Sequence, residues 1–332
     1  MALVSVIIPV YNGEKTIRAT VESVLAQTLT DLEAIVINSG STDGTSDILQ
    51  SFTDARVSIF NYSKALVSVN RNRGVTHANS NYLCFLDADD LWTEDKLACQ
   101  YQALQENPQA AVAYSWTNCI DESDRFLRQS SHAHYSGYIL PQLLLNDFIG
   151  SGSNVMIRRH AFETVGGFDE TLTNAEDSDL WLRLAAKYEF VVVKKAQILY
   201  RVSPQSKSSN IERMEKMNLR VIEKAFAAAP DSLQYLKPYR LASFYQYLSY
   251  RALETQPGQQ KTLTAMRIIL RAAIASPSLL KTPVIAKAFL KLTVMTILPP
   301  LQATRLLQKF PRVANTFTIM GYAKTDLSQI QE

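Results

Sequence analysis

Three carboxylates crowd one short loop of this sequence, at Asp87, Asp89 and Asp90. Their negative charges repel one another, so the loop would be unfavourable unless a cation lay beside it. Mg²⁺ and Mn²⁺ prefer hard oxygen ligands and use one or two carboxylates, which leaves positions for phosphate and water. Taken alone, the four residues from Asp87 to Asp90 fit equally well a solvent-exposed turn that caps the next helix. The buried strand expected just before them, Tyr82–Leu86, favours a metal site with Asp89 as the primary ligand.

A second pair of neighbouring carboxylates, Glu176 and Asp177, begins a stretch in which apolar residues recur at helical spacing. The partial positive charge at a helix N-terminus favours the ionised form, so a carboxylate here would stay deprotonated at neutral pH and able to accept a proton. Taken alone, the pair is better explained as an acidic first turn that only stabilises the helix.

These loops need a scaffold, and the first half of the sequence alternates apolar, β-rich runs with amphipathic stretches. That alternation is typical of a parallel sheet flanked by helices, which binds ligands at the carboxyl ends of its strands. Arg71–Asn81 is a polar stretch without a predicted element. Strands are predicted at Val4–Val10, Ala34–Ile37, Val57–Phe60, Tyr82–Leu86, Ala111–Tyr114 and Ser151–Ile157, and helices after Asn12-Gly13, near Asp95–Glu106 and at Glu176–Tyr188.

Composition predicts one large domain with an appendage, since 332 residues that are 47% hydrophobic can bury a sizeable core. The net charge of +3 is unevenly distributed. Residues 1–210 contain 17 Lys+Arg and 24 Asp+Glu, whereas residues 211–332 contain 17 and 7. The acidic part suits a divalent cation, and the basic part suits an anionic surface. No nucleic-acid partner is expected.

The compartment is predicted from the N-terminus and the cysteines. The first residues lack the basic and apolar regions of a signal peptide. Cys84, Cys99 and Cys119 cannot all pair and show no zinc-binding spacing. A cytoplasmic protein with reduced cysteines is therefore expected, and the basic part allows peripheral attachment to the inner face of a membrane.

Six segments of the first 210 residues carry a resemblance to a known family. They are Ser5-Val6-Ile7-Ile8-Pro9-Val10-Tyr11-Asn12, Gly40-Ser41-Thr42-Asp43-Gly44-Thr45, Arg71-Asn72-Arg73-Gly74, Asp87-Ala88-Asp89, Gly166-Gly167-Phe168-Asp169 and Glu176-Asp177. In type and order they resemble the family 2 inverting glycosyltransferases with the GT-A fold. The resemblance implies an α/β fold with a mostly parallel central sheet at 1–210, followed by an α-helical region at 211–332.

The resemblance also implies a function. A hexosyl group would move, with inversion, from a nucleotide-diphosphate sugar, UDP-linked in the first instance, to an acceptor hydroxyl. Mn²⁺ or Mg²⁺ would offset the charge of the leaving diphosphate. The acceptor would be a glycan or a lipid-linked sugar, in cell-surface polysaccharide or glycolipid synthesis.

Site residues follow by position in the matching segments. Pro9 and Tyr11 would border the nucleotide base, with Tyr11 stacking on it, and Arg71 would help to hold the nucleotide. Asp87 would reach the ribose or share the metal with Asp89. On the acceptor side the resemblance makes Asp177 the catalytic base and Glu176 an acceptor-binding or orienting residue.

The sequence departs from the family pattern at two positions. Asn38-Ser39 stands where the family usually has Asp-Asp, and the second of these is expected to accept a hydrogen bond from uracil. Ser39 can accept that bond through its hydroxyl without charge assistance. Ser203 stands where the family often has histidine, so Arg201, Lys207 or water would take over any contact with the metal or the diphosphate.

The basic C-terminal region lies outside the resemblance. The apolar stretch Val284–Leu301 is short and is interrupted by Lys287 and Lys291, which makes a spanning helix improbable. Two explanations remain open, helices packed with a solvated basic face and an interfacial helix. In the second, apolar residues would enter the membrane (Phe289, Leu290, Ile297) while cations met anionic headgroups (Lys281, Lys287, Lys291, Arg305).

Two other enzyme classes are excluded by the first loop. A nucleotidyltransferase or a dinucleotide-dependent dehydrogenase would carry a glycine-rich phosphate loop after the first strand, and Pro9-Val10-Tyr11-Asn12 contains no glycine. A non-catalytic glycan- or nucleotide-sugar-binding descendant of the same fold remains the alternative, motivated by Ser39 and Ser203.

Overall fold

A computed structural model describes residues 2–202, 210–254, 259–311, 315–322 and 327–330. The chain divides into two compact units. The first consists of residues 1–143 and 147–204, and the second of residues 144–146 and 205–332.

Nine strands form one sheet in the described part of the chain. The four strands predicted before residue 90 are confirmed. Three of them are largely buried, and buried parallel strands consist mainly of apolar residues. The strands are β1 (Val4–Val10), β2 (Leu32–Asn38), β3 (Val57–Asn61), β4 (Tyr82–Phe85), β5 (Leu91–Trp92), β6 (Ala110–Ile120), β7 (Phe126–Gln129), β8 (Met156–Arg158) and β9 (Glu189–Arg201).

The order along the sheet is β3-β2-β1-β4-β8-β6-β9-β5, with β7 paired to β6. Strands β1 to β4 are mutually parallel, and β6 is parallel to β9. Strand β8 is antiparallel to both β4 and β6, so β6 and β9 run in the same direction as β1. The sheet is therefore mostly parallel, as predicted, and the carboxyl ends of β1, β2 and β4 meet at one edge.

Seven helices accompany the strands before residue 204 in the described chain. They are α1 (Ile17–Leu25), α2 (Thr45–Gln50), α3 (Val67–His77), α4 (Lys96–Glu106), α5 (Leu140–Leu145), α6 (Arg159–Thr164) and α7 (Glu176–Ala185). Helix α7 begins at the predicted residue and ends three residues early.

The strand predicted at Ser151–Ile157 is wrong over most of its length, because only its last two residues belong to β8. Residues 151–155 form a loop whose side chains bind other parts of the fold. Asn154 accepts a hydrogen bond from the backbone N–H of Ser115 at 2.7 Å, and the Ser153 hydroxyl donates to Asp90 at 2.6 Å. These contacts replace the regular ladder of a strand.

Helix α3 was not predicted, since its buried face is polar or small rather than apolar. That face consists of Ser68, Asn70, Arg71 and Gly74. Gly74 lies directly over β1, where an added Cβ would come within 2.3 Å of Ile7 Cγ2. The missing side chain therefore allows α3 to approach the sheet closely enough for its polar residues to reach the sheet edge.

Replacing Gly74 with alanine is expected to destabilise the protein by about 1–3 kcal/mol, because the methyl group would overpack against a buried strand. The free energy of unfolding in urea measures this. Gly321→Ala is the matched control, since an added Cβ there meets nothing within 4 Å. Equal stability of the two variants would show that the α3–β1 contact relaxes without cost.

The second unit is helical, in agreement with prediction. Its helices are α8 (Ile211–Ala228), α9 (Lys237–Glu254), α10 (Gln259–Ala275), α11 (Pro283–Ile297) and α12 (Pro300–Lys309). Glu215 of α8 is buried and pairs with two arginines of α10, with Arg267 at 2.7 Å and with Arg271. No helix among the described residues is both long enough and apolar enough to span a bilayer.

One lysine of the expected interfacial helix is placed differently from the prediction. Lys291 is only 7% exposed, because it lies on the side of α11 that packs inward with Leu292 and Met295. It is therefore unsuited to meeting headgroups, whereas Lys281 and Arg305 are exposed.

Candidate active site

The three carboxylates of the loop after β4 differ in their exposure to solvent. Asp89 is exposed and Asp87 is partly exposed, while Asp90 is fully buried. Asp90 accepts hydrogen bonds from the Ser153 hydroxyl at 2.6 Å and from the backbone N–H of Arg201 at 3.0 Å. Burial and the charges of its two neighbours raise the pKa of Asp90 well above its usual value. Asp90 thus anchors the loop, and the other two carboxylates remain at the sheet edge.

Arg71 joins this loop to the start of α7. Its guanidinium is 2% exposed and lies 2.6 Å from Asp87 Oδ1 and 3.1 Å from Glu176 Oε1. Burial opposes the positive charge, but the neighbouring carboxylates, including Asp177, outweigh it and hold the pKa of Arg71 above its usual value. Removing one partner of such a buried pair costs about 3–5 kcal/mol, so the three elements are firmly coupled.

Gly152 makes room for this guanidinium. A Cβ at Gly152 would lie 2.3 Å from Arg71 Nη2 and 2.8 Å from Cζ. Since the guanidinium is fixed by two carboxylates, it cannot move aside freely. The segment Ser151-Gly152-Ser153 therefore contacts two residues of the site: Gly152 packs against Arg71, and Ser153 binds Asp90.

Asp177 lies in the first turn of α7, after a residue with strained backbone. Ala175, the residue before the helix, has φ +60°, a left-handed conformation that is rare outside glycine. Burial and the charges of Glu176 and Asp147 raise the pKa of Asp177 to about 7, against the opposing effect of Arg71. The expectation that the helix dipole keeps this group ionised at neutral pH is therefore corrected. Burial and repulsion from Glu176 and Asp147 act against the dipole.

Glu176, expected on the acceptor side as an acceptor-binding or orienting residue, pairs with Arg71. It is 8% exposed and forms the 3.1 Å ion pair described above. This geometry gives Glu176 a role in fixing Arg71 between the carboxylate loop and α7.

The residues expected at the nucleotide base follow β1 and β2. Pro9 is buried within β1, whereas Tyr11 is 42% exposed. Lys64 Nζ lies 3.9 Å from the centre of the Tyr11 ring and covers one face of it. A base that stacks on Tyr11 would use the opposite face or displace Lys64.

Ser39 is 1% exposed, and its hydroxyl oxygen already accepts two hydrogen bonds. The donors are the backbone N–H of Ala65 and the side-chain amide of Asn70, both at 2.9 Å. A serine hydroxyl accepts two bonds and donates one. Ser39 was expected to accept a hydrogen bond from uracil. In the structure both acceptor positions of its hydroxyl are filled by protein donors, so that only the hydroxyl proton remains to be donated.

Arg201, named as a replacement for the family's histidine, is engaged elsewhere. It is 6% exposed, its Nε donates to the backbone oxygen of Asp89 at 2.8 Å, and its guanidinium pairs with Asp124. It holds the carboxylate loop in place. Ser203 and Lys207 lie outside the described residues.

Three residues near the site were not predicted. Asp147 accepts a hydrogen bond from the Ser178 hydroxyl and raises the pKa of Asp177. Asn70 binds Ser39, and Ser153 donates from its hydroxyl to Asp90 and accepts from the Asp87 N–H at 3.0 Å. Small polar residues carry no periodic signal, and only the glycine in Ser151-Gly152-Ser153 hinted at a close approach.

The carboxylate loop also shows what kind of metal it suits. Within the described residues, no group of three or more His, Cys, Asp or Glu side chains is arranged to enclose a metal ion. An ion that also takes ligands from phosphate and water needs only one or two protein carboxylates. Asp89 is exposed, and the side chain of Asp87 is 31% exposed. The loop therefore fits Mg²⁺ or Mn²⁺ held partly by ligands from outside the protein.

Curated relatives match parts of the chain. An uncharacterized glycosyltransferase of Rickettsia bellii is 32% identical over 187 residues, which is 56% of this chain but only 27% of that protein. The UDP-Glc:alpha-D-GlcNAc-diphosphoundecaprenol beta-1,3-glucosyltransferase WfgD of Escherichia coli is 29% identical over 218 residues, covering 63% of this chain and 80% of that protein. The chain thus spans about a quarter of the first relative and most of the second.

A solved structure and a family model extend the match. The mannosyltransferase PcManGT from Pyrobaculum calidifontis, in complex with GDP-Man and Mn²⁺, superposes with a TM-score of 0.57 at 18% identity, covering 97% of this chain and 87% of that chain. The shared fold is of the GT-A type. A model described as glycosyltransferase-like family 2 matches residues 5–252. The chain belongs to this glycosyltransferase-like family 2.

Proposed function

We propose that the chain transfers a sugar from a nucleotide-diphosphate sugar to an acceptor hydroxyl with inversion, in cell-surface polysaccharide or glycolipid synthesis. Residues 1–210 form the catalytic domain, and UDP-sugars are the first donors to test. The Escherichia coli relative is named for a UDP-Glc donor and a diphosphoundecaprenol-linked acceptor, which supports a lipid-linked glycan acceptor. The unpaired cysteines support a reducing compartment such as the cytoplasm.

One observation carries this proposal, the buried Arg71 that pairs with Asp87 and with Glu176. It places the first turn of α7, with Asp177, next to the carboxylate loop. A donor diphosphate at that loop and an acceptor hydroxyl at Asp177 would then be neighbours, as a single displacement requires.

Each residue of the site has a separate role in the proposed transfer. Asp177 takes the proton from the acceptor hydroxyl as the hydroxyl oxygen attacks the donor sugar. Glu176 and Asp87 hold the buried Arg71, which keeps the carboxylate loop and the first turn of α7 together. Asp89, with Asp87, would hold Mn²⁺ or Mg²⁺, which supplies Lewis-acid neutralisation of the leaving diphosphate. The structure of PcManGT in complex with GDP-Man and Mn²⁺ supports a divalent ion in this fold.

A screen of nucleotide-sugars tests the proposal. The full chain is incubated with each donor and Mn²⁺, with and without a diphosphoundecaprenol-linked acceptor, and release of nucleoside diphosphate is measured. Metal-dependent release with at least one donor is expected. If donors bind but no nucleoside diphosphate appears, the non-catalytic binding descendant is the better description.

The rate of transfer is expected to rise with pH through about 7 and to level off above it. Asp177 acts as a base only when deprotonated, and its pKa is raised to about 7. Asp147→Asn removes a charge that raises this pKa, so the midpoint of the profile should move to lower pH. A pH series of initial rates at saturating donor measures both.

Asp47→Asn, which removes a charge from the exposed side of α2, is the matched control and should leave the midpoint unchanged. A wild-type profile that is flat between pH 5 and pH 8 would exclude Asp177 as the titrating base.

A further inference from the structure

One side of α10 exposes four large apolar side chains. Leu263, Met266, Leu270 and Ile274 are 67%, 41%, 56% and 79% exposed. Their spacing of three, four and four residues places them along one side of a helix with 3.6 residues per turn. Another set on the same helix is buried, namely Ala265, Ile268, Ile269 and Ala272. Helix α10 therefore has two apolar faces, of which only one is packed.

Helix α11, which packs beside α10, repeats this arrangement. Phe289, Leu290 and Ile297 are 42%, 51% and 72% exposed, and their spacing again places them on one side. A surface helix normally turns charged residues to solvent. The exposed faces of α10 and α11, defined by these seven residues, form an apolar surface of the kind that marks an interaction site.

The sequence of α10, α11 and the segments that follow them is rich in cations, although Glu212 of α8 accepts a hydrogen bond from the Thr264 hydroxyl at 3.3 Å, next to Leu263. From residue 255 to residue 325 the sequence contains ten Lys and Arg and no Asp or Glu. Arg267 and Arg271 each come one residue after an exposed apolar residue of α10, Met266 and Leu270. The side chains of both arginines are more than 40% exposed, and both pair with Glu215 of α8. One buried carboxylate, Glu215, thus fixes two guanidiniums beside the apolar side chains.

We propose that this apolar surface inserts into the interfacial layer of an anionic membrane. Exposed aliphatic side chains bordered by cations match a bilayer with acidic headgroups, since burial and electrostatic attraction then act together. A second copy of the chain is disfavoured, because two such surfaces would bring like charges together. Nucleic acid is disfavoured as well, because six of the seven exposed residues have no aromatic ring on which a base could stack.

Vesicle flotation with the full chain tests the proposal. Wild-type protein should float with vesicles of equimolar phosphatidylglycerol and phosphatidylcholine, and poorly with phosphatidylcholine alone. Raising NaCl from about 0.05 M to about 0.5 M should weaken flotation, because the Debye length shrinks. The double variant Leu270→Glu, Ile274→Glu should lower the partition coefficient by about tenfold or more, since it removes apolar burial and adds negative charge.

Leu127→Glu is the matched control, because Leu127 is an exposed leucine on β7, at 49% against 56% for Leu270, and should float like wild type. Ile297→Glu on α11 provides an independent second variant and should also lower the partition coefficient. All changed residues are exposed, so circular dichroism and thermal unfolding should match wild type.

Three results would overturn the proposal. The first is equal flotation of the α10 variant, the α11 variant and wild type. The second is concentration-dependent dimerisation in sedimentation that the α10 variant loses while wild type does not float, which would assign the surface to a second copy. The third is binding of a single-stranded oligonucleotide that the α10 variant loses, again without flotation of wild type.

Discussion

Conversion of Asp177 to asparagine is expected to lower the rate of sugar transfer on the order of 10²–10⁴-fold while leaving donor affinity close to wild type. Asparagine keeps the shape of the side chain but cannot accept the proton of the attacking hydroxyl. The residue lies in the first turn of α7, which the ion pairs of Arg71 with Glu176 and with Asp87 connect to the carboxylate loop. A loss confined to the rate is therefore the signature of a base. Initial rates at saturating donor and calorimetric titration of the donor measure the two quantities separately.

Asp31→Asn is the control for this substitution. Asp31 is exposed and precedes β2, at the edge of the sheet opposite the carboxyl ends of the strands. It should behave like wild type in both measurements. If Asp177→Asn instead loses donor affinity and keeps its rate per bound donor, Asp177 is a binding residue and the base lies elsewhere.

The second large effect is expected for Asp89→Ala, which should abolish metal-dependent transfer and leave the fold intact. Asp89 is the exposed carboxylate of the loop, so its loss removes a ligand without opening a cavity. Removing the Asp89 charge also relieves its repulsion with the neighbouring carboxyl groups in the metal-free protein. The variant should therefore unfold at the same or a higher urea concentration than wild type.

Two measurements distinguish a metal ligand from a residue that only shapes the loop. Titration with Mn²⁺ in the presence of a nucleoside diphosphate should show strongly weakened binding in Asp89→Ala, while Asp31→Ala should bind like wild type. Turnover of Asp89→Ala at the wild-type rate over the same range of Mn²⁺ would remove Asp89 from the metal site.

The scaffold and the location of the site could be predicted from local signals. Short apolar runs marked β1 to β4 in the sequence, and Asp87–Asp90 could be placed at the carboxyl end of β4. The ordered segments between Ser5 and Asp177 also pointed to the family. Each of these inferences needs only residues that are close together in the sequence.

The tertiary structure alone decided how the polar residues are used. Helix α3 escaped prediction because its inner face serves the site instead of an apolar core, with Arg71 reaching Asp87 sixteen residues away and Glu176 105 residues away. The pKa of Asp177 depends on burial and on Asp147, thirty residues earlier. The hydroxyl oxygen of Ser39 accepts both of its hydrogen bonds from donors in or just before α3. Charge and hydrogen-bond energies depend on distances between elements, and only the packing of α3, α7 and the loops on the sheet sets those distances.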